Sequence, residues 1–224
     1  SVITFPGSNC DRDMDVALKK FGFKNKMVWH NDKELPKSDL VVLPGGFSYG
    51  DYLRCGSMAS KSQIMHSVIN FAKSGGLVMG ICNGFQILVE AGLVPGVLLR
   101  NKYLEFICKN VFVKLDNKES IYFKNLDKEI LELHIAHNEG NYFCTSDQLK
   151  EIKDNNQIAI YYCNENGQIE DEFNPNGSIK NIAGIFNKEK NVLGMMPHPE
   201  RMIDKSLSGE DGSLFFKNLI NNIK

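Results

Sequence analysis

Leu77-Val-Met-Gly-Ile-Cys-Asn-Gly-Phe-Gln-Ile-Leu-Val-Glu-Ala-Gly92 changes character in its middle. Leu77 to Ile81 is an unbroken apolar run of the length of a buried strand. Phe85 to Ala91 has helical spacing, and Gly92 supplies a helix stop. Between them lies Gly80-Ile-Cys-Asn-Gly84, a sharp turn with a cysteine at its apex. A buried strand feeding directly into a helix is the repeating unit of a parallel α/β sheet, and the flanking sequence extends it. Upstream, Val2 to Phe5, Met27 to Trp29 and Leu40 to Leu43 are expected strands. Met14, Ala17, Leu18 and Phe21 mark one helix, and Met65, Val68, Ile69 and Ala72 mark a second, closed by Gly75-Gly76. Beyond residue 100, Phe106 to Leu115, Gln157 to Tyr162, Ile182 to Phe186 and Val192 to Met196 are expected strands with little helix between them. Phe216, Leu219, Ile220 and Ile223 make a closing amphipathic helix that starts near Gly209 to Gly212. The expected class is α/β: a mixed, mostly parallel sheet flanked by helices, with an antiparallel extension in the C-terminal half. No linker interrupts residues 1–224, which are expected to form a single domain.

Composition excludes several function classes. The chain has 224 residues, 26 Lys+Arg against 27 Asp+Glu and a net charge of -1, so no basic surface for nucleic acid or an anionic membrane is expected. Only Arg12, Arg54, Arg100 and Arg201 carry guanidinium groups, too few for an evident anion-binding cluster. No apolar run approaches the roughly 18 residues that would span a bilayer, and Ser1 to Phe5 lacks the basic flank of a secretory signal, so a cytoplasmic location is expected. The six cysteines, at positions 10, 55, 82, 108, 144 and 163, form no C-x-x-C pair and no Cys/His cluster at zinc spacing. They are expected to be reduced thiols, with no metal bound.

Cys82 is the exception to an inert reading. At the apex of a strand-to-helix turn its side chain is presented at the carboxyl edge of the sheet, and the first-turn N–H groups favour its thiolate. The competing reading is a glycine-flanked core cysteine. Met196-Pro-His-Pro-Glu200 follows the last expected strand, and each proline holds the residue before it in extended conformation. His198 and Glu200 are then about 6 to 7 Å apart at Cα on the same side, a spacing that suits a base and the carboxylate that orients it. Taken without Cys82, the same segment would be a surface turn with an incidental histidine. Pro44-Gly-Gly-Phe47 ends another strand and can aim backbone N–H groups at an oxyanion, with Asn83 supplying a second donor; the alternative is an ordinary Gly-Gly turn. No Gly-Lys-Ser/Thr follows, so it is not a phosphate loop. His137-Asn138-Glu139-Gly140 reads either as a solvated turn or as a ligand loop. His30, His66 and His134 have no partner motif and read as structural or exposed.

Taken together, Pro44-Gly-Gly46, Gly80-Ile-Cys-Asn-Gly-Phe-Gln86 and His198-Pro-Glu200 resemble, in order and spacing, the class I (triad) glutamine amidotransferases. More narrowly, Pro6-Gly-Ser-Asn-Cys-Asp11, Leu43-Pro-Gly-Gly-Phe-Ser-Tyr-Gly-Asp-Tyr-Leu-Arg54 and Met196-Pro-His-Pro-Glu-Arg201 resemble the glutaminase subunits of phosphoribosylformylglycinamidine synthases. That resemblance implies a flavodoxin-like amidotransferase fold that hydrolyses glutamine to glutamate and ammonia. It implies Cys82 as nucleophile, His198 as acid and base, Glu200 as its orienter, and backbone groups at Phe47 and Asn83 around the oxyanion. Gly46, Gln86, His137, Asn138 and Glu139 would border the glutamine. Cys55, directly after the Tyr49 to Arg54 motif, departs from the pattern. The chain holds no recognisable ATP site. A partner chain is therefore expected, and the resemblance implies that it is a separate synthetase subunit carrying ATP and Mg, with a small accessory subunit, in de novo purine biosynthesis. Two other readings are a cysteine hydrolase or deglycase on a related elbow-bearing fold, and an inactive regulatory subunit.

Overall fold

The computed structural model describes residues 1–206 and 209–223. In chain order the elements are β1 (Val2–Thr4), α1 (Asp11–Lys20), β2 (Met27–Trp29), β3 (Leu40–Leu43), α2 (Gln63–Lys73), β4 (Leu77–Ile81), α3 (Asn83–Glu90), β5 (Val97–Leu99), β6 (Ile107–Leu115), β7 (Ile130–His137), β8 (Asn141–Phe143), α4 (Ser146–Asp154), β9 (Ile158–Cys163), β10 (Ile182–Phe186), β11 (Val192–Met195) and α5 (Asp211–Ile223).

Nine strands form one sheet in the order β2-β1-β3-β4-β11-β10-β9-β6-β7, and β5 pairs separately with β8. Pairing is parallel from β2 through to β11 and antiparallel from β11 through to β7. The change of direction follows from connection length: α1 joins β1 to β2 and α2 joins β3 to β4, whereas β10 returns to β11 across a tight turn. The mixed α/β architecture expected from the sequence is present, and β11, the last strand in chain order, inserts beside β4 at its centre.

The second half holds elements that were not expected, the short strand β8 among them. β7 was not expected, yet it pairs with β6 in continuous register from Ile107 opposite His137 to Lys114 opposite Ile130. α4 also lies where little helix was expected; Thr145 accepts the Gln148 amide, and the Gln148 side chain returns to the Thr145 amide, a reciprocal cap.

The core straddles the sheet. β3, β10 and β11 are buried along their whole length, and α3 is buried from Asn83 to Leu88, which is why it reads as apolar on nearly every side. Phe85 is fully buried against Gly194 of β11, where a Cβ would come within 2.1 Å of its ring. Close approach of α3 to the sheet is thus written into the small residues beneath it.

Candidate active site

The carboxyl ends of three neighbouring strands, β3, β4 and β11, meet at one edge. Pro44-Gly45-Gly46 leaves β3, Cys82 leaves β4, and Met196-Pro197-His198 leaves β11. Cys82 occupies a strained conformation, φ 51° and ψ -107°, which L-residues adopt only where surrounding contacts impose it. Here its amide donates to Met195 O at 2.8 Å, its carbonyl accepts the Gln86 amide at 3.1 Å, and Gly84 lies so close to β3 that a Cβ would sit 1.9 Å from Leu43 O. Side chains larger than glycine are excluded at that position. The Cys82 side chain is nearly buried, with Sγ 3.7 Å from Ala136 O of β7.

His198 is held from both ends. Its amide donates to His134 O at 2.8 Å, and its Nδ1 lies 2.6 Å from Glu200 Oε1. Both side chains are essentially inaccessible. Glycine at position 45 makes room for the imidazole, since a Cβ there would come within 2.6 Å of its Cε1. Nε2 is buried and has no hydrogen-bond partner. Burial alone would lower the proton affinity of His198. The Glu200 carboxylate and the neighbouring Cys82 sulfur outweigh it and raise the imidazole well above its ordinary value. A histidine with one nitrogen fixed by a carboxylate and the other free beside a thiol can accept the thiol proton and return it to a leaving group.

Asn83 opens α3, so its amide is among the first-turn donors the helix does not consume. Its side chain accepts from Ser48 N at 3.2 Å and donates to Gln86 Oε1 at 2.9 Å. The Gln86 amide in turn donates to Glu139 O at 2.7 Å, so Gln86 pins the 137–140 loop against the elbow.

Phe47 is not arranged as expected. Its amide donates to Gly7 O at 3.3 Å rather than standing free for an oxyanion, and the Tyr49 amide donates to Pro6 O at 2.5 Å. The 44–50 loop is sewn to the Pro6–Asn9 loop because the left-handed Gly7 and Gly46 let the two backbones touch. Gly46 itself abuts Asn9, where a Cβ would meet the Asn9 amide at 2.6 Å.

His137 also differs from a ligand-facing residue. It is buried, with Nδ1 3.0 Å from Asn101 Oδ1 and Nε2 3.5 Å from Asn176 Nδ2, so both ring nitrogens are engaged by side-chain amides. Burial first, then the positive charge of His198, push it down to about 3, so it stays neutral. Asn138 is exposed, and its carbonyl accepts the Asn101 amide. The Glu139 carboxylate lies 3.8 Å from Arg100 Nε and faces Asp51 and Cys55 at the rim. Burial, with the repulsion of both carboxylates, keeps Cys55 a neutral thiol.

Two residues of the quoted motifs, Cys10 and Arg201, were given no role from the sequence and meet beside the site. Cys10 Sγ lies within 4.8 Å of the donor atoms of His198 and Glu200, and Arg201 Nη2 donates to it at 3.0 Å. Burial and the Glu200 charge push the Cys10 thiol up to about 12. Among the described residues, Cys10, His198 and Glu200 are the grouping with metal-ligand chemistry. The Arg201 guanidinium already supplies positive charge there, which opposes a cation. His30, expected to stand alone, is bonded through Nδ1 to Tyr49 Oη at 2.7 Å.

Comparison with known proteins shows the family. Residues 1–210 match the CobB/CobQ-like glutamine amidotransferase domain. The chain is 80% identical over 224 residues to phosphoribosylformylglycinamidine synthase subunit PurQ of Pelagibacter ubique, covering 100% of this chain and 99% of that protein. It is 49% identical over 217 residues to the PurQ subunit of Synechocystis, covering 96% and 97%. Among solved structures, a chain of PurLQS from Thermotoga maritima superposes with a TM-score of 0.87 at 40% identity, covering 100% of this chain and 97% of that one. The chain therefore belongs to the glutamine amidotransferase family and, within it, to the PurQ subunits of phosphoribosylformylglycinamidine synthase.

Proposed function

We propose that this chain hydrolyses glutamine to glutamate and ammonia and delivers the ammonia to a separate ATP-dependent synthetase subunit. That subunit converts formylglycinamide ribonucleotide to formylglycinamidine ribonucleotide. The observation that carries the reading is the buried 2.6 Å contact of His198 with Glu200, beside a strained elbow cysteine whose neighbouring imidazole nitrogen has no other partner.

In this reading Cys82 Sγ attacks the side-chain amide carbon of glutamine while the Asn83 amide holds the developing oxyanion. His198 takes up the thiol proton and passes it to the departing ammonia. It then draws a proton from water, which releases glutamate from the thioester, while Glu200 holds the ring in register and stabilises the imidazolium. The Phe47 amide becomes a second oxyanion donor only after its bond to Gly7 O is released, so substrate or partner binding has a loop to rearrange. Asp51 and Glu139 place negative charge at the rim, complementary to the α-ammonium of an amino-acid substrate. Gly46, Gln86 and the 137–140 loop border that space, with Gln86 and His137 shaping it from behind.

Phe47, Tyr52, Leu53 and Met58 are exposed on the segment that flanks the site, apolar surface suited to a docking partner. The partner in this proposal is the synthetase, which carries ATP and Mg, joined by a small accessory subunit, all in the cytoplasm. Among the described residues no helix is long and apolar enough to cross a membrane.

The test supplies the reconstituted complex with either glutamine or ammonia. Cys82→Ala is expected to lose glutamine-dependent synthesis and keep ammonia-dependent synthesis. Equal use of glutamine by the wild type and Cys82→Ala would refute the assignment.

A further inference from the structure

A second thiol–imidazole pair lies on the outer strands of the sheet. Cys108 and Asn110, two residues apart on β6, share a face, and Asn110 is directly opposite His134 on β7. Cys108 Sγ is 3.5 Å from His134 Nε2, His134 Nδ1 is 3.0 Å from Asn110 Oδ1, and Asn110 Nδ2 is 3.2 Å from Glu132 Oε1.

The direction of each bond follows from what each group is able to do. The Asn110 amide nitrogen donates to Glu132 Oε1, so Oδ1 faces His134. A carbonyl oxygen only accepts, so His134 Nδ1 carries the proton. Nε2 is then a lone pair, and the Cys108 S–H donates to it. Burial lowers the proton affinity of His134, His198 and Arg201 lower it further, and Glu200 opposes them; the ring is thus a neutral base. Cys108 is the one exposed cysteine, whereas Cys10, Cys82, Cys144 and Cys163 are buried and Cys55 is half-buried.

We propose that Cys108 is a nucleophilic modification site, with His134 as its base and Asn110 as the residue that positions the ring, and that it forms mixed disulfides with small-molecule disulfides. His134 Nε2 takes the thiol proton and Cys108 Sγ attacks one sulfur of the disulfide. The old S–S bond breaks as the new one forms, and the departing thiolate recovers the proton from the imidazolium. The oxidation of Cys108 is balanced by reduction of the small disulfide.

The experiment incubates the full chain with glutathione disulfide and follows each cysteine peptide by mass spectrometry. Glutathione is expected to accumulate on Cys108 fastest, and His134→Gln is expected to slow that site by about 100-fold, the contribution of a positioned base. Asn110→Ala, an exposed change made in case His134→Gln fails to fold, is expected to slow it about 10-fold, with Cys55 labelling unchanged as an internal control. A Cys108 rate in both variants equal to that of the wild type would overturn the proposal.

Discussion

His198 and His137 are both almost fully buried, at 1% and 3% exposure, and both lie behind the same rim, yet their surroundings set them in opposite states. His198 is given a carboxylate at 2.6 Å and a neighbouring thiol, and its proton affinity rises. His137 is given only amides. Asn101 donates to the His137 carbonyl at 2.8 Å, which turns its own oxygen toward Nδ1, and Asn176 donates toward Nε2 while also bonding Gly140 O at 2.8 Å and the Tyr162 hydroxyl at 3.2 Å. A neutral ring satisfies every one of those partners, and a charged ring would satisfy none better. Burial alone therefore does not make an imidazole reactive; the charge of its partner decides.

The comparison is broken most forcefully at the partner. Glu200→Gln keeps the shape and removes the charge, and kcat for glutamate release is expected to fall by about 10³- to 10⁴-fold. A loss smaller than tenfold would mean that the carboxylate is ornamental. Asn101→Ala makes the matching change behind His137. It should lower unfolding free energy by about 1 to 3 kcal/mol, read from the urea midpoint, while kcat stays within tenfold. A collapse of kcat in a folded Asn101→Ala protein would erase the distinction between the two regions.

Acid and alkali separate the histidines without mutation. His137 is held at about 3 in the folded chain against about 6.5 when unfolded. The unfolded chain thus binds the extra proton between those values, and stability falls as pH drops from about 6.5. His198 is raised, so its contribution is fully present below about 6.5 and is lost as pH rises through its folded value. Urea midpoints measured across pH should show two limbs, each with a slope of at most about 1.4 kcal/mol per pH unit from its histidine. His137→Gln should flatten only the acid limb and His198→Gln only the alkaline one. The smallest expected effect belongs to Cys10, which touches the active side of the comparison through Arg201. Cys10→Ala should reduce kcat by about fivefold, equivalent to about 1 kcal/mol.

Local pattern explains what was legible beforehand. The elbow at Gly80 to Gly84 and the Pro-flanked His198 announce themselves because turn geometry is dictated by adjacent residues. β7 went unrecognised although Ile130 to His137 alternates strictly between half-buried and buried positions. Glu132 and His134 on the open face masked the period, which counting every second residue would have recovered. α4 carried a recognisable start in Thr145 and Gln148. The placement of Cys10 against Arg201, 191 residues away, has no such signature. The same holds for the side-chain amides of Asn101 and Asn176 around His137, which meet only once the antiparallel half is assembled. Phe47 shows the converse: the Gly-Gly turn was visible, but the engagement of its amide by Gly7 depends on a loop forty residues distant.

The central claim is that Cys82, His198 and Glu200 act as one unit, and non-additivity tests it most directly. Glutamate release by the complex should fall by several orders of magnitude in Cys82→Ala and by a similar factor in His198→Ala, with the double variant no worse than either single one. Effects that multiply in the double variant, or a His198→Ala enzyme that turns over glutamine at the wild-type rate, would contradict it.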